Sequence, residues 1–164
     1  EMEAWMKHMT PGEVHQKMAA QAGEWNTTGK MWMDPSAPPT ELKGSAKFRM
    51  LLGGRFQVQE YTGDMMGMPF EGFGIGGYDN TTKKYSSLWM DSMGTGMMFA
   101  SGAVDEKGVV TQIGKMSDPR GIEYDIREVI AHKDADTMTF ELHMKGPDTK
   151  GEQKVMELTY TRKK

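Results

Sequence analysis

The sequence predicts an all-β protein, an up-and-down antiparallel β-barrel of about ten strands with one N-terminal helix closing one end. One observation is the long succession of short strand-like segments separated by turn-forming residues, with a helical pattern only near the start. The second is a pair of elements at opposite ends of the chain, Gly23-Glu24-Trp25 and Thr159-Tyr160-Thr161-Arg162, which meet if the sheet closes. Closure leaves no exposed sheet edge, and the chain lacks the long crossover of a Greek-key sandwich, so the barrel is favoured.

The helix is predicted over about residues 10–22. Thr10 is placed as its N-cap, Pro11 takes the first helical position, and Glu13 completes a capping box. Gly23 supplies the C-terminal stop. Apolar residues recur every four positions on one face: Val14, Met18 and Ala22. This narrow apolar stripe indicates a helix that lies against another part of the protein.

Ten strands follow the helix, and tight turns rich in Gly, Asp, Asn and Pro separate them. Apolar side chains alternate along several of them, most regularly in the ninth, as expected for strands with one buried face. Every second residue between Gly72 and Gly76 is glycine, a pattern that bends a strand or lets a neighbouring side chain lie over it. The predicted strands are Glu24–Met33, Glu41–Leu51, Arg55–Thr62, Pro69–Tyr78, Lys84–Asp91, Met97–Val104, Val109–Met116, Ile122–His132, Thr137–Lys145 and Gln153–Arg162.

The two ends of the chain supply the predicted closure of the barrel. Trp25 begins the first strand and Arg162 ends the tenth, so an antiparallel pairing of these strands places both at one rim. A guanidinium stacked on an indole stabilises by roughly 0.5–2 kcal/mol. We therefore predict that Trp25 and Arg162 seal the rim at which the helix enters, with the arginine also binding carbonyl oxygens of the incoming chain.

Composition excludes several classes of protein. Hydrophobic residues make up 37% and charged residues 26% of the chain, which is typical of a soluble globular protein. The net charge of −3 argues against a nucleic-acid partner, and the absence of cysteine excludes disulfides and thiolate metal sites. No apolar run reaches the roughly 18 residues of a membrane span. The first residues do not form a signal peptide, so the compartment stays open: cytoplasmic, or exported with a signal removed. The oligomeric state is not predicted.

A Gly-x-Trp opening strand with a late-strand arginine resembles the calycin superfamily, which includes lipocalins and fatty-acid-binding proteins. More closely, the chain resembles the bacterial family of unknown function DUF1579. The resemblance implies a single calycin-like barrel domain over residues 1–164, with the helix at about 10–22 and the barrel at about 24–163, but brings no established activity. The similar segments are Met31–Pro35 with Ala37–Pro39, Leu51–Phe56, Met65–Gly72, Gly77–Tyr85, Trp89–Gly96 and Tyr160–Arg162.

The chain contains 18 methionines, and many lie in the connections predicted at the rim opposite the helix. Methionine is a flexible filler of irregular space, it lines pockets that adapt to varied apolar ligands, and its thioether binds soft ions such as Cu(I). The function we predict is the binding of a small apolar or amphipathic molecule at this methionine-rich open end. The predicted ligand-binding methionines are Met31, Met33, Met65, Met66, Met68, Met93, Met97 and Met98.

Polar residues on the strands are the second group of candidates, because inward ones would orient a ligand. Trp89 and Asp91 share one face of the fifth strand and are predicted to bind the ligand, although either face of that strand could be the inner one. The remaining candidates are Glu60, Glu71, Arg127 and Glu128. Each carboxylate taken alone could equally be outward and solvated.

Several alternatives to the binding of an apolar molecule stay open, and one is the binding of a soft metal ion by the methionines. No zinc-helix, nucleophile-elbow or phosphate-loop motif occurs, so a non-enzymatic role is favoured and no cofactor is predicted. A barrel enzyme would use Asp91, Glu60 or Glu128 as a general base. His132 is a conceivable haem ligand if it faces inward. A structural role through an exposed methionine patch is a third hypothesis.

Overall fold

A computed structural model describes all 164 residues of the chain. It contains two short helices followed by ten strands. The helices are α1 (Met2–Met9) and α2 (Glu13–Ala19), and the strands are β1 (Gly23–Met31), β2 (Thr40–Leu51), β3 (Phe56–Met65), β4 (Met68–Asp79), β5 (Lys84–Asp91), β6 (Met98–Val104), β7 (Val110–Ser117), β8 (Glu123–Asp134), β9 (Thr137–Lys145) and β10 (Gln153–Arg162). Neither helix is long and apolar enough to cross a membrane.

The sheet is a closed barrel, as predicted. Every strand pairs with its neighbours in sequence, and β1 also pairs antiparallel with β10. In this closing pair Trp25 lies opposite Arg162 and Met31 lies opposite Met156. The bounds of β5, β9 and β10 agree with those predicted, and the other strands differ by a few residues at their ends.

The predicted seal between the two ends of the chain is present. The Arg162 guanidinium carbon lies 4.3 Å from the centroid of the Trp25 ring, and Trp25 is fully buried. Arg162 Nη1 donates to the carbonyl oxygen of Ala22 at 2.9 Å, and Nη2 donates to that of Ala20 at 2.7 Å. Trp25 Nε1 donates to the carbonyl oxygen of Gln21 at 2.9 Å. The rim residues therefore fix the segment that leads from α2 into β1.

The helical segment closes this rim, but its bounds and capping differ from those predicted. The N-cap of α2 is Gly12, and Thr10 instead ends α1, where its hydroxyl donates to the carbonyl oxygen of Met6 at 2.6 Å. The reason is the separate helix upstream of Thr10, followed by Pro11, which disfavours a helical conformation in the residue before it.

His15 is buried at the N-terminus of α2. Its Nδ1 accepts a hydrogen bond from the Gly12 backbone N–H at 3.0 Å, so His15 provides the side-chain cap expected of a Glu or Gln. Its Nε2 lies 2.9 Å from the carbonyl oxygen of Tyr78. A carbonyl can only accept, so Nε2 carries the proton and this bond holds α2 against the end of β4.

The apolar core occupies one side of the barrel. Ten buried residues form a single cluster, and none of them comes from β5, β6, β7 or β8. The cluster consists of Trp25, Met31, Leu42, Ala46, Phe48, Tyr61, Phe70, Met138, Leu158 and Tyr160. The wall formed by β5 to β8 contributes no side chain to this cluster, so the cluster occupies only one side of the interior.

Candidate functional site

The interior of the barrel holds a cavity of about 1200 Å³ whose wall is mostly apolar. All ten strands contribute inward-facing residues to this wall, and α2 contributes Met18. Small-molecule sites commonly measure about 300–1,000 Å³, so the space suffices for a drug-sized or lipid-sized molecule. Exposed residues line the cavity at both ends of the barrel. Met33 and Met93 lie at the end opposite α2, and Lys107 lies at the same end as α2, so the cavity reaches solvent.

The end of the barrel opposite α2, called the mouth below, is rich in methionine. It is formed by the connections β1–β2, β3–β4, β5–β6, β7–β8 and β9–β10. Five of the eight predicted methionines line the cavity there: Met31, Met33, Met65, Met93 and Met98. Three more that we did not predict join them from strand ends: Met116, Met144 and Met156. Following the alternation of side chains to the ends of β7, β9 and β10 would have predicted these three methionines.

The other three predicted methionines lie outside the cavity wall. Met66, with φ 54°, is the first residue of the two-residue turn Met66-Gly67, and its side chain is half exposed. Met68 follows this turn at the outermost pair of the hairpin and is also largely exposed. Met97 lies just before β6, is 57% exposed and does not line the cavity.

Trp89 and Asp91 both face the cavity, which resolves the orientation of β5. Trp89 Nε1 donates to Asp91 Oδ2 at 2.8 Å, and Asp91 Oδ1 accepts from the backbone N–H of Met93 at 2.9 Å. The indole lies against Gly72 and Gly74 of β4, where a Cβ would stand 2.3 Å and 3.0 Å from its ring atoms. The glycine pattern therefore lets the indole lie flat on the wall, one of the two roles the sequence suggested.

Replacing Gly72 by alanine is expected to displace the Trp89 indole and to lower the free energy of unfolding by about 1–3 kcal/mol, the usual cost of overpacking. Denaturant unfolding measures this change, and the tryptophan emission spectrum reports the displacement. Gly94→Ala is the matched control, because nothing lies within 4 Å of a Cβ at Gly94. Equal stability of the two variants would contradict the packing described for Trp89.

The remaining polar candidates divide between the two faces of the wall. Glu60 and Glu71 are exposed on the outside of β3 and β4. Arg127 also faces outward, with Nη2 2.6 Å from Glu152 Oε1. These three are therefore placed away from the cavity. Glu128 lines it and is only 6% exposed.

Glu128 lies halfway along the barrel, directly opposite Gln112 of β7. Gln112 Nε2 donates to Glu128 Oε2 over a long 3.4 Å, and Gln112 Oε1 is buried without a hydrogen-bond partner. Burial raises the pKa of Glu128 to about 7. Burial, and secondarily the charge of Glu128, raises the pKa of Tyr85 to about 12. We did not predict Gln112, although the alternation along β7 places it on the face of Val110.

His132 lines the cavity near α2, where its Nε2 lies 2.8 Å from Nε2 of Gln21. Binding a haem iron through that nitrogen would require this hydrogen bond to break. No group of three or more His, Asp or Glu side chains is placed to hold a metal ion.

Comparison with known proteins gives a family and a fold. The family described as "Protein of unknown function (DUF1579)" matches residues 10–162. No curated protein matches the chain. Rv2717c from M. tuberculosis has a similar structure (TM-score 0.64, 15% identity, 94% of this chain and 100% of that one). So do the S-type phycobiliprotein lyase CPES from Guillardia theta (0.62, 13%, 100% and 98%) and EF1p2_mFAP2b bound to DFHBI (0.50, 10%, 92% and 100%).

Proposed function

We propose that this chain, which belongs to the DUF1579 family, binds a small apolar or amphipathic molecule inside its barrel without transforming it. The observation that carries this proposal is the cavity of about 1200 Å³ with its mostly apolar wall. Burying apolar ligand surface stabilises by roughly 25 cal/mol per Å² removed from water. A ligand that fills part of this space therefore gains free energy from the burial of its apolar surface.

The methionines at the mouth support a binding site that adapts to apolar ligands of different shapes. The predicted binding residues that we retain line the cavity: Met31, Met33, Met65, Trp89, Asp91, Met93 and Met98. Unbranched thioether side chains change rotamer at little cost and pack against varied surfaces. Trp89, held flat on the wall, offers a fixed aromatic face beside them. The mouth thus combines one rigid surface with several flexible ones.

The structural comparisons support a small-molecule-binding function at the level of the fold. EF1p2_mFAP2b is a protein of similar fold with a bound small molecule, DFHBI. We infer from the barrel closed by Trp25 and Arg162 that the family is part of the calycin superfamily.

The neutral apolar dye N-phenyl-1-naphthylamine tests the proposal. Its fluorescence is expected to rise on binding, and Leu142→Trp is expected to weaken binding by about tenfold or more, because Leu142 lines the cavity beside Glu128 and a larger ring fills it. Ile113→Trp adds the same ring on the outer face of β7, where Ile113 is exposed, and is expected to change nothing.

Circular dichroism confirms that each variant is folded. If Leu142→Trp does not fold, energy transfer from tryptophan to the bound dye in the unsubstituted protein replaces it as the test. Absence of dye binding, or equal binding by both variants, would overturn the proposal.

A barrel enzyme is the second candidate function, and Glu128 favours it. This carboxyl faces the cavity and its pKa is raised by burial to about 7, which suits a general base near neutral pH. Mass spectrometry of a copurified compound after incubation with the protein and with Glu128→Gln discriminates between the two functions. A binder leaves the mass of the compound unchanged in both incubations, whereas an enzyme converts the compound only with the unsubstituted protein.

A further inference from the structure

Binding of apolar surface does not account for two buried polar side chains in the middle of the cavity wall. Gln112 and Glu128 are 1% and 6% exposed. Between them they offer acceptor atoms without donors: Gln112 Oε1 has no partner, and the Glu128 carboxylate accepts only the long bond from Gln112. An unsatisfied buried acceptor destabilises the protein, so its presence facing a cavity points to a donor supplied by a ligand.

The neighbours of this pair across the barrel wall are not basic. In the row of residues that crosses the barrel wall, Tyr85 of β5, Gly102 of β6, Gln112 and Glu128 are successive neighbours. Gly102 adds no side chain to the wall, because a Cβ there would meet the backbone of β7 at Thr111. Tyr85 has a hydroxyl but no positive charge, and Leu142 follows on β9.

No basic side chain lies at this depth. The lysines and arginine of the cavity wall are at its two ends, Lys17 and Lys107 near α2 and Arg120 at the mouth. Arg120 is paired with Asp118, Nη2 to Oδ2 at 2.6 Å. A carboxylate ligand at mid-depth would therefore meet Glu128 without a counter-charge.

The mouth itself has an excess of negative charge. Asp64, Asp91 and Asp118 line it, against Arg120 alone. A cleft lined by one sign of charge raises the local concentration of ions of the opposite sign. Cations are therefore attracted to the mouth, and anions are repelled.

We propose that Gln112 and Glu128 anchor a primary ammonium group of the ligand, with its apolar tail directed toward the methionines of the mouth. One N–H donates to Gln112 Oε1 and another to the Glu128 carboxylate, which satisfies the unpartnered acceptor and pairs the charge. Five residues of strand separate Glu128 from the mouth end of β8, a distance of about 16 Å at roughly 3.3 Å per residue. The proposal deepens the proposed function and rests on it.

The anchor predicts a pH dependence of amine binding. Burial raises the pKa of Glu128 to about 7, so the carboxyl becomes ionised between about pH 6 and pH 8. Gln112 from β7 is bonded to Glu128, and the charge of Glu128 acts on Tyr85 from β5 and Tyr160 from β10. The pKa values of both tyrosines are raised mainly by burial, so they stay neutral over this range. Affinity for an ammonium ion should therefore rise with pH across this window.

Three probes of one chain length test the anchor: decylamine, decanol and decanoate, each displacing N-phenyl-1-naphthylamine below its micelle concentration. At pH 8 we expect decylamine to bind at least about tenfold more tightly than decanoate, since a charge-assisted bond replaces a like-charge contact. The ratio of the affinities for decylamine and decanoate should be smaller at pH 6, where Glu128 is mostly protonated.

Two variants test whether the preference for decylamine depends on Glu128 and Gln112. Glu128→Gln keeps the shape but removes the charge, and it should abolish the preference for decylamine. Gln112→Leu should weaken decylamine several-fold. Glu60→Gln, on the outer face of β3, is the matched control and should behave as the unsubstituted protein.

The outcomes separate the two proposals. Binding of decanol and dye without any preference for decylamine, or a preference that survives Glu128→Gln, would overturn the ammonium anchor and leave apolar binding standing. Failure of dye, decanol and decylamine to bind would overturn both.

Discussion

Replacing Trp25 by alanine is expected to lower the free energy of unfolding by about 3–5 kcal/mol, the range measured for large aromatic residues truncated in protein cores. Trp25 is fully buried, belongs to the core cluster, and carries the Arg162 guanidinium on its ring. Its loss removes core packing, the cation–π contact and the Nε1 bond to Gln21 together. Against a total stability of about 5–15 kcal/mol, this change is severe. The midpoint of guanidinium unfolding measures it.

Trp5→Ala is the matched control, because Trp5 on α1 is 61% exposed and its truncation should change stability by no more than about 0.5 kcal/mol. Hydrogen exchange adds a local readout. The amides of β1 and β10 should lose more protection in Trp25→Ala than those of β5 and β6, since the closing pair loses its seal. A variant with nearly unchanged stability would show that the barrel closes without this contact.

The second large effect is a pH dependence of stability caused by Glu128. Its pKa is about 7 in the folded protein and about 4.5 when the group is in water. The folded state binds this proton more tightly than the unfolded state. The carboxyl therefore contributes stability below about pH 4.5, and that contribution is lost as pH rises through 7. A difference of this size corresponds to roughly 3 kcal/mol.

Glu128→Gln has no such proton, so the unsubstituted protein should lose stability relative to this variant between about pH 5 and pH 8. Denaturant unfolding at several pH values measures the difference. Glu60→Gln serves as the control, because Glu60 is exposed on the outer face of β3 and its substitution should leave the pH profile unchanged. A constant difference between the unsubstituted protein and Glu128→Gln would show that Glu128 has an ordinary pKa.

Much of this fold could be predicted from the sequence because the signals were local and strong. Turn-forming residues delimited the strands, and clean alternation along β9 identified its inward face. The pairing of Trp25 with Arg162 followed from strand number, since an even number of antiparallel strands returns the chain to its starting rim. The alternating glycines of β4 could also be interpreted, because a glycine leaves space on the wall that a neighbouring side chain can occupy.

The site was harder to predict for a physical reason. Around a hollow interior, inward positions need not be apolar, so the inner wall carries Gln112 and Glu128 while Ile113 faces solvent. Alternation then identifies two faces without saying which is inner, as on β5. Turn residues such as Met66 follow no alternation at all. Whether a loop methionine lines the cavity depends on the backbone conformation of the loop. The number of methionines in the loop does not reveal that conformation.

The closing pair between β1 and β10 has a consequence for how this protein is made. The first strand acquires its second neighbour only after the last strand has left the ribosome, because nearly the whole chain separates the two. Until then the nascent sheet has two bare edges that can recruit strands from other chains. A chain that stops before β10 is therefore exposed to aggregation however well its other strands have formed, and closure of the barrel waits for the synthesis of β10.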